Sequence, residues 1–266
     1  MNIINNKTEK EYRDSQKGFG HLDKNLGLKD WLEVTYSADI VRKNRYTNVV
    51  KKFLDTPDNL NVLEIAAGVG DFVCYCSKLF PQHSYQANEL SEVQLSSNIG
   101  AVSEYFNIQS LPQLSFEPVE DLSYQNNLFD IIFIKAAVHH FENPKKGFSQ
   151  MYRILKPGGK IVFFEDPVCL DIPLYKKWKK DNFALEEKLL GINEHMYSIN
   201  EYISFGSLFL DTSYYLDEEL INEFDRHQKH RKGLKKVVGY VIRNNSFLFK
   251  NYIIWRFGTV IFIFRK

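Results

Sequence analysis

The stretch Asn61-Val-Leu-Glu-Ile-Ala-Ala-Gly-Val-Gly-Asp-Phe72 decides the fold of this 266-residue chain. Its first half is a short apolar run rich in branched residues, as in a buried strand, and Gly68 and Gly70 interrupt that run. An amphipathic pattern over 71–80 follows, so the stretch predicts a strand, a tight turn and a helix. Glycine lets the backbone approach a ligand where a Cβ would collide, and the first N–H groups of the helix face that ligand. We therefore expect a nucleotide-type α/β fold with a binding site above the turn.

The composition is typical of a globular protein in a reducing compartment. Apolar residues make up 44% and aromatic residues 15% of the chain, enough for a sizeable core. The 34 basic and 33 acidic side chains nearly cancel, so the total charge implies no polyanionic partner. The cysteines, at 74, 76 and 169, form neither a disulfide framework nor a four-ligand zinc spacing, and residues 1–13 lack the apolar core of a secretion signal. We expect a cytoplasmic protein without a transmembrane segment.

Strands and helices alternate through the first two thirds of the chain. After the first strand and helix, the patterns predict strands at 84–88, 114–118, 129–135 and 160–165, with helices between them. Two helices precede the first strand, one capped by Asp30 and one over 40–54. Such alternation implies right-handed crossovers and a parallel sheet that binds ligands at the carboxyl ends of its strands.

The alternation of strands and helices breaks down beyond residue 166. Helical patterns cover 171–190, 198–205 and most of 217–250, and strands are predicted near 208–215 and over 259–264. Residues 226–250 hold eight Lys or Arg and no acidic residue. We expect three parts, which are an N-terminal helical lid over 1–56, a ligand-binding core over 57–166, and a helical cap with the last sheet strands over 167–266.

Five groups of residues resemble the class I S-adenosylmethionine-dependent methyltransferases, of the small-molecule type, over about residues 45–166. In chain order they are Glu64-Ile-Ala-Ala-Gly68-Val-Gly70, Glu89, Glu120-Asp121-Leu122, Phe129-Asp-Ile-Ile-Phe133 and Leu155-Lys-Pro-Gly-Gly-Lys-Ile-Val-Phe163. The resemblance implies an α/β fold with a doubly wound, Rossmann-like sheet of seven mostly parallel strands and a helical cap insert in the C-terminal half. It also implies S-adenosyl-L-methionine as the methyl donor.

The resemblance also implies which residues bind the donor. In that family the acid of the first strand and the glycine turn hold the methionine part, the acid ending the second strand holds the ribose, and the turn after the third strand contacts adenine. The corresponding residues here are Glu64, Ala66, Gly68, Gly70, Glu89, Leu90, Val119, Glu120 and Lys135. The chain departs from the family pattern at two positions, because Pro118 replaces a frequent aspartate and Ala66 replaces the usual first glycine.

A nicotinamide or flavin enzyme is the nearest alternative to a methyltransferase. Its glycine-rich turn needs a third glycine where this chain has Val73, and it lacks a carboxylate at the position of Glu64. The glycine pair together with the two glutamates favours the methyltransferase.

Methyl transfer to a hydroxyl requires a base, and histidine is the natural candidate. His140 lies at the carboxyl end of the fourth predicted strand, and His195 lies just before the predicted capped helix. We take these two as candidate catalytic residues and expect the neighbouring His139 to form part of the wall. Glu165 and Asp166 carry oxygens that could bind a divalent ion, but we expect them to face solvent or the acceptor and predict no metal.

The acceptor is predicted to be a small molecule with a hydroxyl, such as a sugar, a phenol or a related metabolite. The basic residues at 176–180 and 226–250 could attract an anionic acceptor or a membrane surface, or could form a solvated helix face. An RNA or protein methyltransferase, a small-molecule N- or C-methyltransferase and a non-catalytic scaffold remain as alternatives. The sequence shows no recognisable nucleic-acid-binding module, so nucleic acid is the less favoured partner. The oligomeric state stays open.

Overall fold

The computed structural model describes residues 6–15, 27–174, 176–181, 193–257 and 260–266. Its helices are α1 (Asn6–Ser15), α2 (Leu28–Glu33), α3 (Ile40–Leu54), α4 (Asp71–Leu79), α5 (Glu92–Phe106), α6 (Pro144–Ile154), α7 (Ile199–Phe205), α8 (Glu218–His230), α9 (Leu234–Asn244) and α10 (Ser246–Phe257). A π-helical turn (Val34–Ala38) follows α2, and Val138–His140 forms a 3-10 turn. The strands are β1 (Asn61–Ile65), β2 (Ser84–Asn88), β3 (Gln113–Ser115), β4 (Phe129–Lys135), β5 (Leu155–Phe164), β6 (Val168–Cys169), β7 (Tyr197–Ser198), β8 (Asp211–Tyr215) and β9 (Ile261–Arg265).

Seven strands form one sheet in the order β3-β2-β1-β4-β5-β9-β8, and β6 pairs with β7 separately. The first five strands of that order are parallel, whereas β9 runs antiparallel to both β5 and β8. The predicted seven-stranded, mostly parallel and doubly wound sheet is confirmed. The strand order reverses between β1 and β4, and ligands bind at such a switch point in open α/β sheets.

Apolar residues cover both faces of the sheet, as the near-continuous apolar runs of β1 and β4 require. One core contains side chains of α2 to α5 with the faces of β1, β4 and β5 that point towards them, including the fully buried Phe72. The other contains side chains of α6 and α7 with the opposite faces, including the fully buried Phe148. Burying such a phenylalanine contributes about 1.5–3 kcal/mol. The two layers hold the carboxyl ends of the parallel strands in a fixed arrangement.

Most predicted elements lie within one to three residues of their observed bounds, with three differences. The cap of α2 is Gly27, so Asp30 lies inside the helix instead of preceding it. β3 ends at Ser115, three residues earlier than predicted. β5 begins at Leu155, so the Lys-Pro-Gly-Gly segment belongs to the strand. The last residue of the chain explains this, because Lys266 exchanges backbone hydrogen bonds with Gly158 and Gly159.

The C-terminal third follows the predicted order of elements. Ser198 caps α7 with a complete capping box that includes Glu201. Of the helix predicted over 171–190, residues 173–174 and 176–181 are helical, and residues 175 and 182–190 lie outside the described residues. Within the described part of the chain, no helix is both long enough and apolar enough to cross a membrane.

Candidate active site

A cavity of about 250 Å³ lies at the carboxyl ends of β1 and β4, at the switch point of the sheet. The turn after β1, the end of β2, the loop after β3, the end of β4 and helix α1 surround it. Eight of the residues predicted for the site line this cavity, and they are Ala66, Gly68, Glu89, Leu90, Val119, Glu120, Lys135 and His140. Glu64, Gly70 and His195 were predicted too, but they lie outside the lining.

Three parallel strands end in the same strained backbone conformation. Ala66 follows β1 with φ 54°, Ala136 follows β4 with φ 51°, and Glu165 follows β5 with φ 64°. A residue with a Cβ pays roughly 1–2 kcal/mol to adopt this left-handed conformation. Ala66 and Ala136 both line the cavity. Backbone strain is therefore concentrated at the edge of the sheet where the cavity opens.

The two glycines of the turn have different structural roles. Gly68 lines the cavity with φ +58°, and a Cβ built on it would have no neighbouring atom within 4 Å. Gly70 has φ +81° and caps α4, and a Cβ there would lie 2.3 Å from Cδ1 of Ile99 in α5. Gly68 thus leaves open space above the turn, whereas Gly70 permits the close packing of α4 on α5.

Glu89 joins the ends of β1 and β2 at the floor of the cavity. Its Oε2 accepts a hydrogen bond from the backbone N–H of Gly68 at 2.8 Å, and its Oε1 accepts one from Ser91 at 3.1 Å. The side chain is 3% exposed, and this burial raises its pKa, although nearby Arg13 opposes the shift. The carboxylate is held in one orientation and still lines the cavity.

Glu64 supports the turn from below instead of lining the cavity. Its Oε2 accepts the N–H of Val73 at 2.8 Å, which satisfies an amide in the first turn of α4. Its Oε1 has no hydrogen-bond partner among the described residues. Burial raises the pKa of Glu64 well above its ordinary value, with the charge of Lys135 acting in the opposite direction.

Asp71 is a buried residue of the cavity wall that the sequence did not single out. It accepts a hydrogen bond from the hydroxyl of Tyr36 and pairs with the ammonium group of Lys135. Burial disfavours the charge of Lys135, but the carboxylates of Asp71 and Glu64 outweigh it and raise its pKa. Lys135 is therefore held as a cation at the end of β4. The position of Asp71, directly after the glycine turn, is the sequence signal that could have identified it.

The cavity wall is predominantly acidic. Five carboxylates line it, those of Glu9, Asp71, Glu89, Glu117 and Glu120. Arg13 and Lys135 are the two lysine or arginine side chains among its lining residues. A buried negative field of this kind favours a ligand that carries positive charge.

Helix α1 closes one side of the cavity. Glu9 is 3% exposed, and its carboxylate accepts hydrogen bonds from Arg13 and from the backbone N–H of Asn193. Asn6 donates through its side chain to Glu120, a residue of the cavity wall. The contacts with Asn193 and Glu120 join residues more than a hundred positions apart. The sequence predicted a lid over 1–56 but gave no signal for these partners of α1.

A cluster of histidines and carboxylates adjoins the cavity at the end of β4. Nδ1 of His139 lies 2.8 Å from Oδ1 of Asp166, and Nδ1 of His140 lies 2.6 Å from the carbonyl oxygen of Asn193. A carbonyl only accepts, so Nδ1 of His140 is the donor and Nε2 is the basic nitrogen when the ring is neutral. Glu194 lies 3.8 Å from both imidazoles.

His195 belongs to the same cluster but not to the cavity lining. Its backbone N–H donates to the carbonyl oxygen of His139 at 3.0 Å. Burial, followed by the nearby His139 and Lys180, lowers the pKa of the His195 imidazole. Of the two histidines that the sequence left open, only His140 reaches the cavity.

His139, His140 and Glu194 place their ligand-type atoms within 4.8 Å of one another, close enough to be considered as a metal site. The Nδ1 atoms of both rings are already engaged by Asp166 and Asn193. The sequence predicted no metal, and that statement stays a prediction.

Known methyltransferases resemble part of this chain in sequence. Residues 63–163 match the family model described as a methyltransferase domain. Demethylmenaquinone methyltransferase of Bacteroides fragilis is 34% identical over 142 residues, covering 51% of this chain and 54% of that protein. Phosphoethanolamine N-methyltransferase 2 of Caenorhabditis elegans is 28% identical over 144 residues, covering 52% of this chain and 31% of that protein. The chain thus spans about half the length of the former and less of the latter.

Solved structures show the same fold at low sequence identity. Phosphoethanolamine N-methyltransferase 2 of Haemonchus contortus, solved with S-adenosyl-L-methionine, superposes with a TM-score of 0.58 at 16% identity, covering 88% of this chain and 56% of that chain. The YcgJ protein of Bacillus subtilis has a TM-score of 0.56 at 14% identity, covering 84% and 98%. Residues 63–163 are thus similar to a methyltransferase domain, and the chain has the fold of the solved Haemonchus methyltransferase, which confirms the predicted resemblance.

Proposed function

We propose that this chain transfers a methyl group from S-adenosyl-L-methionine to a hydroxyl of a small molecule such as a sugar, a phenol or a related metabolite. One observation carries the proposal. The acidic cavity at the switch point brings together the glycine turn, the buried carboxylate of Glu89 and the imidazole of His140. When bound there, the donor supplies a methyl group activated by a sulfonium.

The residues of the cavity suit such a donor. Glu89, held by Gly68 and Ser91, presents a fixed carboxylate that would accept the ribose hydroxyls. Ala66 and Gly68 would lie along the methionine part, and the turn with Val119 and Glu120 along the adenine. The excess of carboxylates would stabilise the positive charge of the sulfonium.

Glu64 and Gly70 contribute to donor binding indirectly in this proposal. Glu64 satisfies an amide of α4 and Gly70 fits α4 against α5, so both fix the shape of the turn. Residues 1–56 would serve as the lid, residues 57–166 as the donor-binding core, and residues 167–266 as the acceptor-side cap. The contacts of Glu9 with Asn193 support this division, because they link the lid to the cap beside the cavity.

His140 is the proposed general base. Its Nδ1–H is held by the carbonyl of Asn193, which leaves Nε2 to accept the proton of the acceptor hydroxyl while the oxygen attacks the methyl carbon. His195 is the second candidate for the base. Because it lies outside the cavity, it could affect the acceptor only indirectly, through its neighbours in the histidine cluster.

The acceptor is proposed to be neutral or cationic instead of anionic. Lys176 and Lys180 belong to the basic segment 176–180 that could have attracted an anion, and both pair with Glu201, at 3.1 and 2.7 Å. Lys176 also lies 3.4 Å from Asp171. Side-chain hydrogen bonds with these lysines overcome the effect of burial and hold the pKa of Glu201 at about 2. Their charge is thus balanced within the chain. Cys74, Cys76 and Cys169 are free and buried, which supports a cytoplasmic setting.

Methyl transfer to carbon or nitrogen is the second candidate. The names of the relatives favour it, since they include demethylmenaquinone methyltransferase and a phosphoethanolamine N-methyltransferase. A nitrogen acceptor attacks through its own lone pair and needs little or no help from a base, so the role of His140 separates it from a hydroxyl acceptor. A carbon acceptor must lose a proton when the new C–C bond forms, so the position of the methyl group in the product separates it from a hydroxyl acceptor.

Two measurements test the proposed function. Calorimetry with S-adenosyl-L-methionine, and with its demethylated product, should show binding, whereas NAD⁺ should not bind. Radiolabelled donor should then be supplied with a panel of phenols, sugars, quinones and amines. Turnover on a hydroxyl acceptor should fall about 10²–10⁴-fold in a folded His140→Ala variant. Absence of donor binding would refute the whole proposal, and full turnover in that variant would refute the role of the base.

A further inference from the structure

Helix α9 turns its apolar side towards solvent. Leu234, Val237, Val238 and Val241 are between 47% and 78% exposed. At 100° per residue these four side chains fall on one arc of about 100°, and Ile242 at the edge of that arc packs against the cluster of Leu220, Phe224 and Phe249. A surface helix of a globular protein normally buries such an arc, so the orientation of α9 is the reverse of the expected one.

Polar contacts fix α9 in this orientation. Gly239, on the opposite side of the helix, is buried against the side chain of Gln228 in α8. The same Gln228 donates a hydrogen bond to the carbonyl oxygen of Lys236 at 2.7 Å, and Arg243 donates two to Asp225 of α8. The polar side of α9 therefore packs on α8. The apolar side is left in contact with solvent, and a binding partner would bury it.

The apolar surface continues into the next helix. Phe247 and Leu248 at the start of α10 are 72% and 42% exposed. We call the exposed side chains of Leu234, Val237, Val238, Val241, Phe247 and Leu248 the apolar face.

The charged side chains that α9 and the residues after it carry are all basic. No Asp or Glu follows Asp225 in the sequence, and Lys232, Lys235 and Lys236 are exposed at the start of α9. In a symmetric contact between two copies, both surfaces would carry the same positive charge, which is unfavourable. A nucleic acid would pair with the lysines but would leave the apolar face in water. A surface that is both apolar and anionic satisfies both features.

We propose that the apolar face is a docking surface for a lipid bilayer that contains anionic headgroups. The helix would lie in the plane of the membrane, with its aliphatic and aromatic side chains at the boundary of headgroups and acyl chains. The lysines would lie at the level of the lipid phosphates. This inference does not depend on the proposed methyl transfer.

Flotation of the full chain with lipid vesicles tests the proposal. The protein should float with vesicles of phosphatidylcholine and phosphatidylglycerol. When the vesicles contain phosphatidylcholine alone, the protein should not float with them. A Leu234→Gln, Val238→Gln and Val241→Gln variant keeps good helix formers and should bind about tenfold more weakly or worse. A Lys232→Gln and Lys235→Gln variant should also lose about tenfold, as should the unchanged protein in high salt.

A matched control uses apolar residues that are equally exposed elsewhere. The Val93→Gln and Leu111→Gln variant changes side chains that are 54% and 59% exposed, and it should bind vesicles as the unchanged protein does. Circular dichroism should show the same helix content in all variants. The proposal is overturned if no vesicle binds the protein, or if the triple variant binds normally. It is also overturned if light scattering shows a dimer that the triple variant abolishes, because a second copy would then cover the apolar face.

Discussion

The carboxylate of Glu9 accepts a hydrogen bond of 2.9 Å from the backbone N–H of Asn193, although the two residues are 184 positions apart. Glu9 lies in α1 and Asn193 precedes the histidine cluster, so this bond joins the N-terminal helix to the C-terminal region beside the cavity. Asn193 also receives the Nδ1–H of His140 on its carbonyl oxygen. One residue therefore couples the helix that closes the cavity to the imidazole that lines it.

Replacing Glu9 by alanine should loosen α1. The change leaves the N–H of Asn193 without its partner, at a cost of about 1–3 kcal/mol. We expect roughly tenfold weaker binding of S-adenosyl-L-methionine by calorimetry, and faster hydrogen exchange in α1. Glu11 on the same helix is exposed and gives the control, because Glu11→Ala should change neither quantity. Unchanged donor affinity in the Glu9 variant would mean that α1 does not act as a lid.

Replacing Glu89 by glutamine should weaken donor binding while keeping the size of the side chain. The variant loses a charged acceptor that is worth about 1.5–3 kcal/mol, so affinity should fall roughly 10- to 100-fold. Glu92 in the first turn of α5 is exposed and provides a matched Glu→Gln control. If both variants bind the donor equally well, Glu89 does not contact the ribose.

Replacing Gly70 by alanine should destabilise the fold. The new Cβ would overlap Cδ1 of Ile99 at 2.3 Å and would force a left-handed backbone, at a cost of about 2–4 kcal/mol. Gly100→Ala is the control, because this glycine lies in α5 with open space around it, and the change should stabilise by about 0.5–1 kcal/mol. Urea unfolding measures both variants. A Gly70 variant as stable as the unchanged protein would show that the packing of α4 on α5 tolerates a methyl group.

Acid should destabilise the protein partly through His195. Burial lowers the pKa of this imidazole from 6.5, so the folded chain binds its proton less readily than the unfolded chain does. The resulting loss of unfolding free energy is absent above the pKa that His195 has in the unfolded chain, and it grows as the pH falls below that pKa. The urea midpoint of a His195→Gln variant should therefore drop less than that of the unchanged protein between about pH 7 and about pH 5. His230 is exposed, and His230→Gln should leave that drop unchanged.

The sequence by itself determined the core of this fold. The strands β2 and β4 and the helix α3 have the bounds that their patterns predicted, and β1 lies in the first half of the stretch 61–72, as expected. Apolar runs, glycines and caps act between residues close in the chain, so they can be recognised without a partner. The glycine turn between β1 and α4 placed the cavity, and Glu89 was found because it ends the strand beside β1.

Only the tertiary structure decided how the cavity is completed. It placed Glu64 beneath the turn, set His140 at the cavity and His195 outside it, and brought Glu9 from α1 to Asn193. It also turned the apolar side of α9 outwards, although the pattern of that helix would have predicted burial. These features depend on contacts between residues far apart in the chain, and hydrophobic periodicity carries no information about which distant backbone group a polar side chain will meet.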